Sequence, residues 1–465
     1  MSLPPSRSLV RGLGLMAATS ITVAGVIGTG VFLKARVMTC NVGSPTLVLL
    51  AWVVAGALSI AGSLTYAELG AMMPEAGGEY AFVRAAYGRF WAFVFGWMRF
   101  FIAGAGGAAA LAAGLAIFSN VVAGGALAAH HVSVGSLTIS GVTLVAMAAI
   151  VVVTLINCAA VAVGGQVAST MAVAKIVLIS GLGIAALTLG GGTWAHFEQS
   201  GALGLCEGVP AAARGGIAGF GAAMFAALWA YNGWNETSYI AGEVKDPQRN
   251  LPIAFIAGIG IVMALYCFVN LAYAFVLPPL VIASLPISSA VATEVAATFL
   301  GPSAVKIVSA ALVVSIFSAL QVMTLLAARV PYAMASDGLF LKWLAELSPR
   351  TRVPVRALML QAAWACVLVL SGSFDALTDY AMFAILGFVA MVTASVFVLR
   401  RRAPNAVRPY RTWGYPVTPA LFLLVTALLL ANTIATAPRQ ALAGVGLLAL
   451  GLPFYWYWTR GDGHP

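Results

Sequence analysis

Charged side chains are scarce in this 465-residue chain, at 8% of all residues. Soluble globular proteins carry about 25%. The most polar segments, 71–88, 329–356 and 400–416, are each too short to fold as a soluble domain. Hydrophobic residues make up 62% of the chain, and its mean hydropathy is +0.99. These values exclude a soluble globular protein and predict an integral membrane protein.

Reactive and metal-binding side chains are also rare. The histidines all lie in loops or at the terminus, and no nucleophile and base are visible together; they are His130, His131, His196 and His464. The phosphate-binding pattern GxxxxGK[ST] is absent. We therefore expect no catalytic centre, no metal and no other cofactor, and neither an enzyme nor an ATP-driven pump.

The cysteine pattern excludes a metal cluster as well. The five cysteines form no CxxC pair and no metal-binding spacing. Three of them are expected to pack as small apolar residues, namely Cys158, Cys267 and Cys366. Cys40 and Cys206 would both face outward, so the sequence permits a disulfide between them without requiring one.

Long apolar runs are what the chain does have. Each of twelve runs is long enough for a membrane-spanning helix, which needs about 20 residues, and none shows the alternation of barrel strands. The sequence thus predicts an all-α integral membrane protein with a single domain over 1–465. The runs lie near 12–34, 46–70, 89–119, 138–157, 165–190, 215–241, 252–277, 302–331, 355–372, 376–399, 417–436 and 440–459.

The basic residues follow the predicted topology. If the N-terminus is cytoplasmic, 17 of the 24 Lys and Arg fall on the inner side and four on the outer side. The other three, Arg99, Lys175 and Lys306, lie within or at the edge of spans. Because this is the positive-inside pattern, we expect cytoplasmic N- and C-termini and no nucleic-acid partner. Short termini and outer loops without glycosylation sequons favour a bacterial inner membrane.

Glycine interrupts two of the spans at corresponding places. Gly28 and Gly30 fall within AGVIGTGVFLK (24–34) of span one, and Gly233 falls within LWAYNGWNET (228–237) of span six. These are the first spans of two five-span halves, 12–190 and 215–399. Glycine also serves as a packing residue at four-residue spacing, but Gly28 and Gly30 are two apart. We therefore favour broken helices, which in transporters mark the substrate site.

Three blocks together resemble a known family. GVIGTGVF (25–32) and AGSLTYAELGAMMPEAGGEYAFVRAAYG (61–88) resemble the amino acid–polyamine–organocation superfamily. FAALWAYNGWNETSYIAGEVKDPQRNLP (225–252) is similar to its L-type amino acid transporter branch. The resemblance implies the leucine-transporter-like fold: a 5+5 inverted repeat with broken helices 1 and 6, then two further helices over 417–459. It also implies secondary amino acid transport by alternating access.

The resemblance places a substrate site at the two breaks. Its residues would be Val26, Ile27, Gly28, Thr29 and Gly30 of span one and Trp229, Ala230, Tyr231 and Asn232 of span six. Unpaired amides at the start of the second half-helix suit a carboxylate, and the carbonyls of span six suit an α-ammonium group. Trp229 would gate the site, although a packed core aromatic is the alternative. Gly106 and Gly107 would face the substrate side chain, form a helix-packing seam, or do both.

A lysine within the membrane needs a reason, because its insertion costs about 2.5–3.5 kcal/mol. Lys175 lies midway along span five. By resemblance it approaches the break of span one, where sodium-coupled relatives hold a sodium ion. It would then replace that ion or carry a coupling proton; a purely structural tether is the alternative. Arg99 is expected to snorkel, and Glu79 to pair with Arg84 or Arg89 or to be solvated.

These features predict a sodium-independent exchanger or proton symporter for neutral L-amino acids. The matched site has no acidic side chain, which argues against the alternatives of cationic amino acids and polyamines; a non-transporting sensor is a further alternative. Asn232 stands where many relatives have glycine, which favours small or medium side chains. The loop over 119–137 lacks the cysteine that some relatives use for a heavy chain, so we expect no disulfide-linked heavy-chain subunit. The expected partners are the amino acid substrate and the lipid bilayer.

Overall fold

The computed structural model describes residues 11–75, 77–134, 137–159, 161–201, 204–286, 290–371, 374–436 and 438–459. Helices dominate them, as the long apolar runs predict. The α-helices are α1 Leu15–Val26, α2 Gly30–Val42, α3 Pro45–Met72, α4 Glu79–Tyr87, α5 Arg89–Trp97, α6 Ala105–Val122, α7 Ala126–Ala129, α8 Gly141–Ala159, α9 Val161–Leu189, α10 Gly216–Tyr231, α11 Pro247–Val276, α12 Pro279–Ser284, α13 Val291–Leu300, α14 Ala304–Ala327, α15 Arg329–Ser336, α16 Val355–Ser371, α17 Phe374–Arg402, α18 Val417–Thr436, α19 Pro438–Ala449 and α20 Leu452–Thr459.

Shorter elements connect these helices. One π-helical segment, Met98–Gly104, joins α5 to α6. The 3₁₀ helices are Trp194–Glu198, Ala211–Ala213, Trp234–Glu243, Gly301–Ser303 and Lys342–Ala345. Strands β1 His131–Val134 and β2 Leu137–Ser140 form an antiparallel hairpin in which His131 pairs with Ser140.

The described helices include enough long apolar segments for a multi-pass membrane protein. Among the described residues, nine helical segments have the length and hydropathy to cross a bilayer, and the bent pair of α1 and α2 makes a tenth. Two other predicted spans coincide with shorter helices, α10 with 16 residues and α16 with 17. The total of twelve spans and the inverted repeat stay predictions.

The core surrounds the bent pair. Helix α1 packs against α9, α11 and α14, while α2 packs against α10. Helix α3 packs along α11, and α6 along α14. Helix α18 lies farther out and exposes Leu421, Leu424 and Leu428. Such apolar exposure suits contact with lipid rather than water.

At one end of the bundle, which we name the Cys40 end, α2 is fastened to the loop before α10. Cys40 and Cys206 form a disulfide, the pairing that the sequence left open. The Asn41 side chain donates to the Ala213 carbonyl at 2.6 Å. Buried Arg36 donates to the carbonyls of Glu207 and Leu285. These contacts make α2 and the start of α10 one mechanical unit.

At the opposite end, the Glu243 end, the beginning of α1 is fastened to the segment after α10. The Leu13 amide donates to the Glu243 carbonyl at 3.0 Å, and the Lys245 amide donates to the Leu13 carbonyl at 2.8 Å. The Glu243 carboxylate accepts from Arg329 at 2.8 and 3.1 Å, and both side chains are fully buried. A buried pair with this bidentate geometry resists separation, since a single charge left behind is costly.

The expectations for Arg99 and Glu79 are wrong. Arg99 does not snorkel: it is 2% exposed and donates to Glu236 at 2.6 Å. The Glu79 carboxylate is also buried and accepts hydrogen bonds from Tyr66, Asn235 and Tyr239. Both side chains lie between chain segments that are distant in sequence. The polarity of neighbouring residues in the sequence does not predict burial at such places.

Candidate functional site

The α1–α2 break opens the backbone between Val26 and Gly30. Ile27 is extended, with φ −72° and ψ 94°, so α1 ends one residue earlier. The two helices are bent by 45° at this point. No side chain caps α2 at Thr29. Helix geometry leaves the first amides of α2 without a carbonyl one turn back, and they carry the positive end of the helix dipole.

The second break follows Tyr231. Asn232 is extended, with φ −57° and ψ 145°, and Gly233 has φ +114°. That φ favours glycine. A Cβ on Gly233 would also lie 2.8 Å from the Gly25 carbonyl oxygen. Glycine is therefore required here by both backbone conformation and the close approach of α1.

The two breaks meet in the folded chain. A Cβ placed on Gly30 would lie 2.5 Å from Ala230 Cβ and 3.4 Å from Trp229 Cζ3. A Cβ placed on Gly28 would meet no atom within 4 Å. The structure thus places the two predicted segments, 26–30 and 229–232, against each other. Gly30 allows the contact, whereas Gly28 borders open space.

Tyr266 of α11 bridges the two breaks, and sequence reasoning missed it. Its hydroxyl lies 3.2 Å from the carbonyl oxygens of both Val26 and Ala230. Val26 is the last residue of α1 and Ala230 is the second-last of α10. Carbonyls at a helix C-terminus lack a full set of helical partners. A buried mid-span tyrosine needs a hydrogen-bond partner, which is the signal that could have drawn attention to it.

Tyr231 directs its side chain away from the break. Its hydroxyl donates to the Trp52 carbonyl of α3 at 3.1 Å, and the side chain is fully buried. Only its backbone lies at the break. Asn232, the next residue, is partly exposed.

Lys175 reaches the break from α9. Its side chain is 0% exposed. Its ammonium donates to the Ala24 carbonyl at 2.8 Å and to the Ile27 carbonyl. An unpaired buried charge would be costly, so these carbonyls stabilise the ammonium while the ammonium holds the end of α1. The Lys175 amine thus lies beside the break.

Gly106 and Gly107 face different surroundings. A Cβ on Gly107 would come within 2.2 Å of Met323 Cε, so this glycine packs against α14. A Cβ on buried Gly106 would meet no atom within 4 Å. Of the two, only Gly106 borders space that a ligand side chain could occupy.

Ser318 of α14 is a polar group at the level of the α1–α2 break. Ser318 lies one turn before Val322. A Cβ placed on Gly25 of α1 would lie 3.4 Å from Val322 Cγ1. Ser318 is fully buried, and its hydroxyl has no hydrogen-bond partner within the described part of the chain. Its position one turn from the Gly25 contact makes Ser318 a further candidate for the site.

A further lysine lies beside the breaks. Lys34 of α2 places its ammonium 4.4 Å from the centroid of the Trp229 ring. Within the described ranges, the buried carboxylates are Glu68, Glu79, Glu236 and Glu243, and each accepts from an arginine or from several polar groups. No group of three His, Cys, Asp or Glu residues suited to a metal occurs in those ranges.

Comparison with known proteins identifies the family. The model of the amino acid permease family matches residues 13–450. The chain belongs to the amino acid permease family. Its members are transporters rather than enzymes, and general amino acid transport follows for this permease.

Individual relatives align over nearly all of the permease. It is 31% identical to the serine/threonine exchanger SteT of Bacillus subtilis, over 96% of this chain and 97% of the relative. It is 30% identical to the human b(0,+)-type amino acid transporter 1, over 98% of this chain and 90% of the relative. It is 28% identical to the human large neutral amino acids transporter small subunit 2, over 97% of this chain and 82% of the relative. The predicted resemblance to the superfamily and its L-type branch is confirmed.

Proposed function

We propose that this permease is a sodium-independent secondary transporter of neutral L-amino acids that works by alternating access, as an exchanger or a proton symporter. The observation that carries the proposal is the contact between two broken helices at Gly30 and Ala230. Backbone freed from helical hydrogen bonds is tolerated at membrane depth where it is buried in protein or lines a cavity. An amino acid is a ligand that satisfies both kinds of freed group.

The geometry favours a zwitterion in one orientation. The first amides of α2, with the Thr29 hydroxyl, offer donors to the α-carboxylate. The last carbonyls of α10 offer acceptors to the α-ammonium group. The Trp229 ring lies beside Gly30 and the Lys34 ammonium, which suits a gate. Gly106, Asn232 and Ser318 would then limit the size and polarity of the substrate side chain.

Lys175 supports independence from sodium. Its ammonium already bonds to two carbonyls at the end of α1, and a second cation at the same oxygens would be repelled at short range. We propose that Lys175 replaces a sodium ion and restrains α1. In the proton-symport version of the proposal, loss of its proton would release those carbonyls.

The proposed architecture is a single transporter domain of twelve spans. Residues 12–190 and 215–399 would form the 5+5 inverted repeat, with breaks in the first helix of each half, and 417–459 would add two helices. The excess of Lys and Arg on that side supports a cytoplasmic Glu243 end. The proposed location is a cell inner membrane with both termini cytoplasmic.

We also propose that the permease works without a disulfide-linked heavy chain. Cys40 and Cys206 are bonded to each other. The remaining three cysteines, Cys158, Cys267 and Cys366, are partly buried within helices.

A serine/threonine exchanger among the relatives and the added volume of Asn232 both favour small or medium neutral substrates.

The test is counterflow in proteoliposomes. Vesicles loaded with unlabelled serine are given each of twenty labelled amino acids, at two pH values, with and without sodium. We expect neutral amino acids to exchange at rates that sodium does not change. Sodium-stimulated uptake would refute the role given to Lys175. Preferred uptake of arginine, lysine or polyamines would favour the cationic alternative, and binding without flux would favour a sensor.

A further inference from the structure

An arginine-rich segment joins two spans near the end of the chain. Helix α17 ends at Arg402, the loop over 403–416 follows, and α18 begins at Val417. Phe383–Arg402 and Val417–Ala435 each have the length and hydropathy of a membrane span. The loop between their adjacent ends therefore lies at the level of the lipid headgroups. The arginines of this segment are Arg400, Arg401, Arg402, Arg408 and Arg411.

Glu68 of α3 fixes both ends of the loop against the bundle. Its carboxylate is 1% exposed and accepts from the Arg400 guanidinium at 2.7 and 3.0 Å. It also accepts from the amide of Thr412 at 2.7 Å and from the Thr412 hydroxyl at 2.8 Å. The guanidinium of Arg408 lies 3.4 Å from the same carboxylate. Residues from the start, the middle and the end of the segment thus converge on one buried acid.

Arg401 and Arg411 lie at the exposed side of this arrangement. Each adjoins in sequence a residue that Glu68 binds, and consecutive Cα atoms are about 3.8 Å apart, so the two backbones lie close to the same carboxylate. Both arginines are exposed. Trp413, two residues after Arg411, is 69% exposed, and Val407 is 81% exposed. Exposed tryptophan beside basic residues is typical of the interface between a membrane and water.

Positive charge exceeds negative charge in this segment. Residues 380–460 contain no Asp or Glu. Glu68 supplies one negative charge for the two arginines that it contacts. Arg402 donates to the backbone carbonyl of Ala86 at 2.8 Å, which is a neutral acceptor. The segment therefore presents a net positive charge where the two spans leave the membrane.

The charged group around the neighbouring helix α4 does not offset this excess. Helix α4 packs against α17. Its Arg84 pairs with Glu75 at 3.0 Å and also with Asp337. Arg89, at the start of α5, donates to the Asp337 carbonyl at 3.2 Å. Two arginines thus lie with two carboxylates, and this neighbouring group is balanced in charge.

We propose that the surface formed by Arg401, Arg411 and Trp413 binds the headgroup of an anionic phospholipid. A guanidinium group can donate two parallel hydrogen bonds to one phosphate, and arginines next to a span attract anionic lipids. The Trp413 indole would lie between the headgroup and the acyl chains. A zwitterionic headgroup also carries a cation, which the arginines repel, so an anionic lipid is favoured. The inference goes beyond the proposed transport and does not depend on its substrate.

The experiment measures lipid binding to the delipidated full-length permease in detergent, by native mass spectrometry and by thermal unfolding. Phosphatidylglycerol is compared with phosphatidylcholine of the same acyl chains, and glycerol 3-phosphate offers the phosphate without acyl chains. We expect phosphatidylglycerol to bind more tightly than phosphatidylcholine and to raise the melting temperature, and glycerol 3-phosphate to do neither at the same concentration. Equal binding of the two lipids, or an equal effect of glycerol 3-phosphate, overturns the inference.

Variants then assign the binding to this surface. The double variant Arg401→Gln/Arg411→Gln removes two charges and leaves the contacts of Glu68 in place. We expect it to weaken phosphatidylglycerol binding by roughly thirtyfold. Arg401→Lys/Arg411→Lys keeps the charge and should retain much of the binding.

Arg249→Gln/Arg350→Gln is the matched control, because it removes two exposed arginines outside the loop. It should bind phosphatidylglycerol as the wild type does. Wild-type binding by Arg401→Gln/Arg411→Gln, or equal losses in the two glutamine variants, contradicts a site at this surface. The melting temperature without lipid reports whether each variant folds, and the comparison of lipids on the wild type tests the inference even where a variant does not.

Discussion

The contact between Gly30 and Ala230 provides a sharp test of the broken-helix site. In Gly30→Ala the new methyl would lie 2.5 Å from Ala230 Cβ and 2.8 Å from Ala230 Cα. Ordinary carbon–carbon contacts lie at about 3.5–4.0 Å, so α2 and α10 must separate by roughly 1 Å. Overpacking of this kind costs about 1–3 kcal/mol, and the better helix propensity of alanine returns at most about 1 kcal/mol.

Gly28→Ala is the informative counterpart. Its methyl would meet no protein atom within 4 Å, so we expect no loss of folding stability. The methyl would instead enter the space proposed for the substrate carboxylate. Loss of one hydrogen bond to a charged group costs about 1.5–3 kcal/mol, which corresponds to about tenfold to a hundredfold in affinity.

The assay combines counterflow kinetics with thermal unfolding in detergent. Gly30→Ala should lower both the melting temperature and the maximal uptake rate, whereas Gly28→Ala should raise the KM for serine at an unchanged melting temperature. Gly260→Ala on α11, which also has no atom within 4 Å, is the control and should match the wild type. Wild-type kinetics and stability in both Gly28→Ala and Gly30→Ala would refute the site.

Three further predictions concern buried charge. Lys175→Met leaves carbonyls at the end of α1 unpaired, at about 1–3 kcal/mol, so we expect a lower melting temperature and little uptake; wild-type uptake would contradict the tether. Arg329→Met leaves the buried Glu243 carboxylate without its partner and should lower the free energy of unfolding by about 3–5 kcal/mol. Adding Glu243→Gln to the same chain should recover part of this lost stability. If the losses of the two single variants simply add in the double variant, the two side chains are not coupled. Burial raises the pKa of Glu79, while Arg99 and the hydrogen-bond donors to the Glu79 carboxylate oppose this rise. The folded state therefore binds the Glu79 proton more tightly than the unfolded state, and the wild type should lose stability relative to Glu79→Gln as the pH rises above about 4.3. Parallel pH profiles of melting temperature for the two proteins would contradict this.

The sequence predicts the helical membrane architecture and both breaks well, because these depend on local properties. Apolar length identifies most spans directly. Glycine at 28, 30 and 233 marks places where a helix is weak, and the structure shows why the last two must lack a side chain: Gly30 meets Ala230, and Gly233 adopts a positive φ beside Gly25. The resemblance to the family then assigns both helix breaks to one proposed substrate site.

Contacts between distant segments are what sequence patterns could not provide. The sequence predicts that Arg99 snorkels, yet it is buried against Glu236, 137 residues away. No sequence pattern marks Tyr266, although its hydroxyl lies within hydrogen-bond distance of both breaks. The polarity of a residue indicates that it needs a partner, while its partner depends on how helices pack. The role of Tyr266 at the two breaks and the burial of Arg99 therefore became clear only in three dimensions.

The two ends of the bundle are fastened in ways that favour different movements. At the Cys40 end the disulfide and Asn41 tie α2 to the segment before α10, so under the proposed alternating access α2 and α10 would move together. At the Glu243 end, α1 is held to the segment after α10 through reversible backbone bonds at Leu13. Under the proposed alternating access, opening toward the Glu243 end requires those bonds to break while the covalent link persists. Lys175 holds the end of α1 at the hinge between the two units, so a change in its bonding is the step that would release α1 without disturbing α2.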